Sequence, residues 1–211
     1  MGYVSIMLNL TGRKLVVIGG GEEALKKVKT LLPQCGEVVV IAADFSNGFS
    51  EIPAEKIKMR LDDTTQLDNF VNERTIVIIA TNDNSLNRRI ESYCRMKNVL
   101  FNSVDNRDSE FIFPASFEIS GVTVSVSTSG RSPSFARFLR DALYDHVSNY
   151  AQALPVLERL RHDVMIENLH LKASFFNSLL NDKDFWSLIN SGEYELAYLL
   201  GIKEYHSKFQ S

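Results

Sequence analysis

The sequence predicts an α/β protein in which a parallel β-sheet is followed by two further strands and an α-helical tail. Continuous apolar runs at residues 14–18 and 37–42 alternate with helical patterns, as is typical of parallel strands buried on both faces. The pattern changes after residue 105, where two strand-like runs follow one another. From Ser134 onward nearly every segment has helical spacing, so the strands are confined to the first part of the chain.

The first strand–helix–strand unit can be followed residue by residue. Residues 14–18 (KLVVI) are apolar and rich in β-branched side chains, and they end at three glycines. Residues 22–32 repeat apolar side chains at helical spacing, and Pro33 and Gly36 end that helix. The second strand is predicted at residues 37–42 (EVVVIA).

Later elements repeat this alternation more loosely, which implies right-handed crossovers between parallel strands. In order, they are a short strand at residues 57–60, a helical stretch at 65–71, a strand at 75–80, a helix at 84–97 and a strand at 99–103. Strand-like runs at 111–117 and 122–127 are joined through Gly121, and the helices that follow are broken near Pro155, residues 181–183 and Gly192.

The composition excludes several classes of protein. With 45% hydrophobic and 23% charged residues, the chain is not predominantly disordered, and two cysteines in no CxxC arrangement do not make a disulfide scaffold. A formal net charge of −3 argues against a dedicated nucleic-acid binder. No stretch reaches the roughly 20 apolar residues of a membrane helix. We therefore expect a cytoplasmic protein that binds neither nucleic acid nor a membrane.

The glycines after the first strand carry the first functional signal. Gly19, Gly21 and Ala24 form G-x-G-x-x-A between a strand and a helix, which is the context of a Rossmann dinucleotide-binding loop. Gly21 lacks the Cβ that would block a pyrophosphate, and the positive end of the helix dipole faces the phosphates. The alternative is that the glycines form only a compact turn. We predict dinucleotide contacts at Gly19, Gly20, Gly21 and Glu22.

Polar residues after the next strands extend this prediction. Asp44 is the candidate acid for the adenosine ribose, although it lies beyond the usual spacing of about 20 residues. No arginine closely follows it, which favours NAD over NADP. Thr81 and Asn82 directly follow a buried strand, so they are predicted to line the cofactor crevice at the carboxyl ends of the strands. A cap for the next helix is an alternative role for this segment, and the two roles are compatible.

An ordered series of motifs over residues 3 to about 145 resembles a known family. The series is LNLTGRK before VVIGGG, ATND before NRRI, NSVD at 102–105, FIFPA at 111–115, and STSGRSP at 127–133 before Ala136, Arg137, Leu139 and Arg140. In these motifs the chain resembles precorrin-2 dehydrogenases, including bifunctional sirohydrochlorin ferrochelatases and the amino-terminal part of siroheme synthase. It departs from their pattern at Glu23, an acid beside the glycine loop, and its tail from about residue 150 matches no motif.

The resemblance implies an NAD-dependent oxidation of precorrin-2 to sirohydrochlorin, with insertion of ferrous iron in some members. Asp105 matches a family aspartate proposed to serve proton removal, whereas without the resemblance the residue is more typical of a turn or a cap. The resemblance also implies a homodimer and three parts: an NAD-binding Rossmann domain at residues 1–112, a dimerisation segment at 113–148 and a helical tail at 149–211. A non-catalytic NAD-sensing module is the alternative function.

The STSGRSP segment predicts a site for a ligand with many carboxylates. Ser132 is a good N-cap, Pro133 suits the first helical position, and hydroxyls, helix N–H groups and arginines occur together. The alternative is a capped surface helix whose arginines pair with Asp141 and Asp145. We predict substrate contacts at Asn102, Thr128, Ser129, Arg131, Ser132 and Arg137. The sequence contains no HExxH motif or Cys/His cluster, so we expect no resident metal.

Overall fold

The amino-terminal part of the chain is built on five strands. They are β1 (Lys14–Ile18), β2 (Glu37–Ala42), β3 (Glu55–Lys58), β4 (Thr75–Ile79) and β5 (Leu100–Ser103). All pair in parallel in the order β3-β2-β1-β4-β5. The computed structural model describes residues 2–104 and 109–208, in two units that divide between Phe113 and Pro114.

Apolar layers cover both faces of this sheet. Alternate side chains of β1 point to opposite faces, so Val16 packs with the layer beneath helix α2 (Asn84–Met96) and Leu15 with the layer beneath helix α1 (Glu22–Leu31). Because both layers are buried, β1, β2 and β4 carry the continuous apolar runs that the sequence shows. The predicted α/β class with a parallel sheet is confirmed.

The outer elements differ from their predicted bounds. Strand β3 lies two residues earlier than the predicted 57–60, and Lys56 fastens it by donating from Nζ to the carbonyls of Phe49 and Ile52. The predicted helical stretch at 65–71 is a 3₁₀ helix, Thr64–Asn69, capped by the Asp63 side chain. Both segments are short and only partly buried, so apolar periodicity marks them weakly.

The second unit combines a hairpin with helices. Strands β6 (Ala115–Ile119) and β7 (Val122–Val126) pair antiparallel through a turn in which Ser120 and Gly121 have positive φ. The helices are α3 (Pro133–Ala151), α4 (Leu154–Asp163), α5 (Leu169–Leu180), α6 (Lys183–Asn190) and α7 (Tyr194–Lys208). The predicted helical tail is therefore confirmed, while the division at residues 148 and 149 stays a prediction.

Helices α4 to α7 enclose their own apolar cluster. Gly201 of α7 lies so close to α4 that a Cβ there would come within 2.6 Å of the Leu160 side chain, which is fully buried. Phe175 and Phe185 fill the same cluster. None of the helices in the two described ranges has the length and apolar composition needed to cross a bilayer.

Replacing Leu160 with alanine is expected to lower the free energy of unfolding of this unit by about 2–5 kcal/mol, because the lost side-chain atoms leave a cavity that the closely packed helices cannot fill. Trp186 is the single tryptophan and packs against the same cluster, so its fluorescence during urea unfolding reports on the unit. Leu169→Ala is the control, since that side chain is 80% exposed. Equal unfolding midpoints for the two variants would contradict this packing.

Candidate functional site

A cavity of about 270 Å³ lies at the carboxyl ends of β1, β2 and β4. Chain order reverses between β1 and β4, and such a switch point is where open parallel sheets bind ligands. Six of the seven predicted cofactor residues line it: Gly19, Gly20, Gly21, Asp44, Thr81 and Asn82. The seventh, Glu22, is exposed in the first turn of α1 and does not line the cavity.

The three glycines meet different surroundings. Gly19 has φ +127°, and a Cβ there would lie 2.1 Å from the Ala80 carbonyl oxygen. A Cβ on Gly20 would lie 2.0 Å from the carbonyl oxygen of Asp44. A Cβ on Gly21 would meet nothing within 4 Å. The first two glycines therefore allow the loop to pack against the ends of β4 and β2, while the third leaves open space.

That open space suits a dinucleotide pyrophosphate. Gly21 is the N-cap of α1 and has no side chain to accept from the first helical N–H groups, which remain available to an anion. Glu23 does not oppose this, because its carboxylate pairs with Lys26 at 2.6 Å on the exposed face of α1. The Lys26 hydrogen bond lowers the pKa of Glu23. The residues present thus fit the cofactor that the glycine motif predicts.

A hydrogen-bonded corner shapes the opposite wall. Thr81 donates from Oγ1 to Oδ1 of the buried Asn87, whose Nδ2 donates to the Thr81 carbonyl at 3.0 Å. Asp83 caps α2 by accepting from the N–H groups of Ser85 and Leu86, and the bond from Leu86 is the main cause of its lowered pKa. Sequence reasoning missed Asn87 as a site residue, although ATND followed by NRRI contained the signal.

The outer end of the cavity carries opposite charges. The Asp44 carboxylate pairs with Lys58 Nζ at 3.1 Å, and this contact lowers the pKa of Asp44. Arg60 also lines the cavity. Sequence reasoning missed both cations, because Lys58 meets Asp44, and Arg60 meets the cavity, through the parallel register that places Lys58 beside Ala42.

The predicted substrate residues fall in separate places. Asp105 lies outside the described residues. Asn102 is buried on β5, where its Nδ2 donates to the Phe111 carbonyl at 3.0 Å. The others belong to the second unit, in the loop and first turns of α3: Thr128, Ser129, Arg131, Ser132 and Arg137.

This second group forms an ordered turn. Thr128 accepts from the Ser132 N–H at its Oγ1 and from Arg131 at its carbonyl, and Ser132 caps α3 as predicted. Arg140 pairs with Asp141, whereas Arg131 and Arg137 form no ion pair with any acid in the described ranges. Within those ranges, no three potential ligands are grouped to hold a metal ion.

Substituting aspartate for Gly21 is expected to weaken NADH binding by about a hundredfold or more, because a carboxylate would occupy the open space in front of the helix N-terminus. The fold should survive, since Gly21 has extended dihedrals and aspartate is a good N-cap. Fluorescence titration with NADH and a thermal melt measure the two effects. Glu73→Gln, at an exposed acid before the amino end of β4, is the control. A Gly21→Asp protein that binds NADH normally would contradict the assignment.

Comparisons with known proteins agree with this geometry. The family model described as putative NAD(P)-binding matches residues 6–115. Siroheme synthase of Nitrosomonas europaea is 29% identical over 92% of this chain, siroheme synthase 1 of Klebsiella pneumoniae subsp. pneumoniae 30% over 95%, and siroheme synthase of Neisseria meningitidis serogroup B 36% over 68%. The chain spans only 40%, 41% and 30% of their respective lengths.

A solved structure shares the fold. SirC, a precorrin-2 dehydrogenase, superposes with a TM-score of 0.74 at 20% identity, and the alignment covers 94% of this chain and all of that one. The resemblance that the motifs indicated is therefore confirmed. The family model matches more than half of the chain, and the matched region contains the glycine loop, the cavity and the whole parallel sheet. The chain therefore belongs to the putative NAD(P)-binding family.

Proposed function

We propose that this chain oxidises precorrin-2 to sirohydrochlorin with NAD as the acceptor, in siroheme biosynthesis. The observation that carries the proposal is the cavity at the switch point, where Gly21 leaves room for a pyrophosphate at the start of α1. The similarity to siroheme synthases and the fold shared with a precorrin-2 dehydrogenase support the choice of substrate.

The reaction removes two hydrogens from the macrocycle. When bound, NAD supplies the hydride acceptor, so NADH, sirohydrochlorin and one proton are formed. The protein must therefore orient the macrocycle at the cavity and provide a base for the proton. Thr81, which is hydrogen-bonded to Asn87, and Asn82, which precedes the Asp83 cap, form the wall for the cofactor end of this arrangement.

We assign the base to Asp105. The described residues on either side support this role: Ser109 accepts at Oγ from the Ser103 N–H at 2.9 Å and donates to the Ser103 carbonyl at 3.1 Å. Ser103 is the last residue of β5, so this pair lies at its carboxyl end, and the cavity lies at the carboxyl ends of the parallel strands β1, β2 and β4. Asp105 follows β5 by two residues in the sequence, and a carboxylate is a suitable group to accept a proton from a bound substrate.

Arg131 and Arg137 are the proposed contacts for the carboxylates of the substrate. Both are exposed, and both lack an acidic partner among the described residues, unlike Arg140. Thr128, Ser129 and Ser132 add hydroxyl groups in the same turn. Guanidinium groups bind carboxylates through charge-assisted hydrogen bonds, so this turn is suited to a polycarboxylate.

A homodimer is the proposed assembly. Helix α3 exposes Phe135 and Phe138, which are 51% and 64% accessible and stack on each other, and Leu143 is exposed farther along the same helix. Adjacent aromatic side chains on one helix are typical of an interface. Both cysteines, Cys35 and Cys94, are free thiols, which supports the proposed cytoplasmic location.

Purified protein is expected to convert precorrin-2 to sirohydrochlorin under anaerobic conditions with NAD, followed by absorbance. Asp105→Ala should lower kcat by about 10²–10⁴-fold, the usual contribution of a positioned base. Asp108→Ala is the neighbouring control. Absence of turnover by folded protein that binds NADH would favour a cofactor-sensing module instead, and full turnover by Asp105→Ala would remove that residue from the chemistry.

Light scattering is expected to give twice the chain mass of 23.8 kDa. Phe138→Glu should shift the protein toward the monomer, because a buried unpaired carboxylate strongly disfavours association. Met96→Glu introduces the same charge at an exposed apolar side chain of the first unit and serves as the control. A wild-type monomer would contradict the dimer.

A further inference from the structure

We propose that Lys58 and Arg60 form a phosphate subsite beside the adenosine ribose position, so that this chain binds NADP(H) as well as NAD(H). The inference rests on the proposed function, because it concerns the cofactor of the same cavity. It also revises an expectation drawn from sequence order, in which no arginine follows Asp44 closely enough to bind a ribose 2′-phosphate.

The register of the sheet brings the cations to the ribose end. Residue Ala42, the last of β2, lies opposite Lys58, the last of β3, and the Met59 N–H donates to the Ala42 carbonyl at 2.8 Å. Arg60, two residues past the end of β3, lines the cavity together with Asp44. Asp44 is two residues past Ala42, and its carboxylate meets Lys58 Nζ at 3.1 Å.

Charge at this position decides between the two cofactors. In a Rossmann fold, an acid after the second strand binds the ribose 2′-hydroxyl of NAD and repels the 2′-phosphate of NADP, while a nearby arginine accommodates that phosphate. Here the Asp44 carboxylate is already paired with Lys58, which offsets the negative charge that would repel a phosphate. The usual basis for rejecting NADP is therefore weakened.

Arg60 supplies the donors for the phosphate. Its side chain is 85% exposed, and its ion pair with Asp62 is a long contact, with Nε 3.5 Å from Oδ1. Exposed ion pairs contribute little, so the guanidinium can turn toward a ligand at low cost. Its planar fork matches a phosphate, while Lys58 contributes by offsetting the Asp44 carboxylate.

The test is a fluorescence titration of the full chain with NADH and with NADPH, and the readout is the ratio of the two Kd values. We expect the wild type to have Kd values for NADPH and NADH within about tenfold of each other, because the Asp44 carboxylate repels the 2′-phosphate while Lys58 and Arg60 attract it. The double variant Lys58→Gln/Arg60→Gln should raise the NADPH-to-NADH ratio by about tenfold or more, whereas Asp44→Asn should lower it by a similar factor. Lys29→Gln removes an exposed positive charge from α1 and should leave the ratio unchanged.

Ionic strength gives a second readout. NADPH affinity should fall more steeply with added salt than NADH affinity in the wild type, and the difference should shrink in the double variant. Wild-type protein that binds NADH but rejects NADPH by more than about a hundredfold would overturn this inference alone. An unchanged ratio in the double variant would overturn it as well. Failure to bind either cofactor would overturn the proposed function too.

Discussion

The site depends on the close approach of one loop to two strand ends. Gly19 lies against the Ala80 carbonyl and Gly20 against the Asp44 carbonyl, at separations that admit no side chain. Backbone bonds complete the junction, since the Gly19 N–H donates to Ile41 and Gly20 accepts from Ser46. The loop thereby joins β1 to both neighbours, and this junction sets the width of the cavity and the position at which α1 begins.

Charge in this molecule has to be considered site by site. The net charge of −3 gives no sign of anionic ligands, yet the structure places positive groups at two suitable positions. Lys58 offsets Asp44 beside the cavity, and Arg131 and Arg137 remain without acidic partners in the described part of the second unit. The proposed ligands, a dinucleotide and a polycarboxylate, are both anions, so local pairing matters more than net charge for their binding.

Sequence alone predicted the elements whose signals are local. The central strands are continuous apolar runs because both faces of the sheet are covered, and the glycine loop follows β1 directly. Prediction from the sequence failed where the contacts join residues that are distant along the chain. Arg60 is 16 residues beyond Asp44 in the chain and reaches the same cavity only through the pairing of β2 with β3. The shift of β3 has a similar cause, since Lys56 fastens it to carbonyls in another segment.

Strand β3 has a further consequence for solubility. It forms one edge of the five-stranded sheet, and its sequence, Glu55–Lys58, is three-quarters charged. Lysines on an edge strand discourage backbone pairing with another molecule, which is how many sheet proteins avoid aggregation. Lys58 therefore has two roles on one strand, the balancing of Asp44 and the protection of an open edge. Apolar replacements chosen to change cofactor preference would also make this edge more prone to self-association.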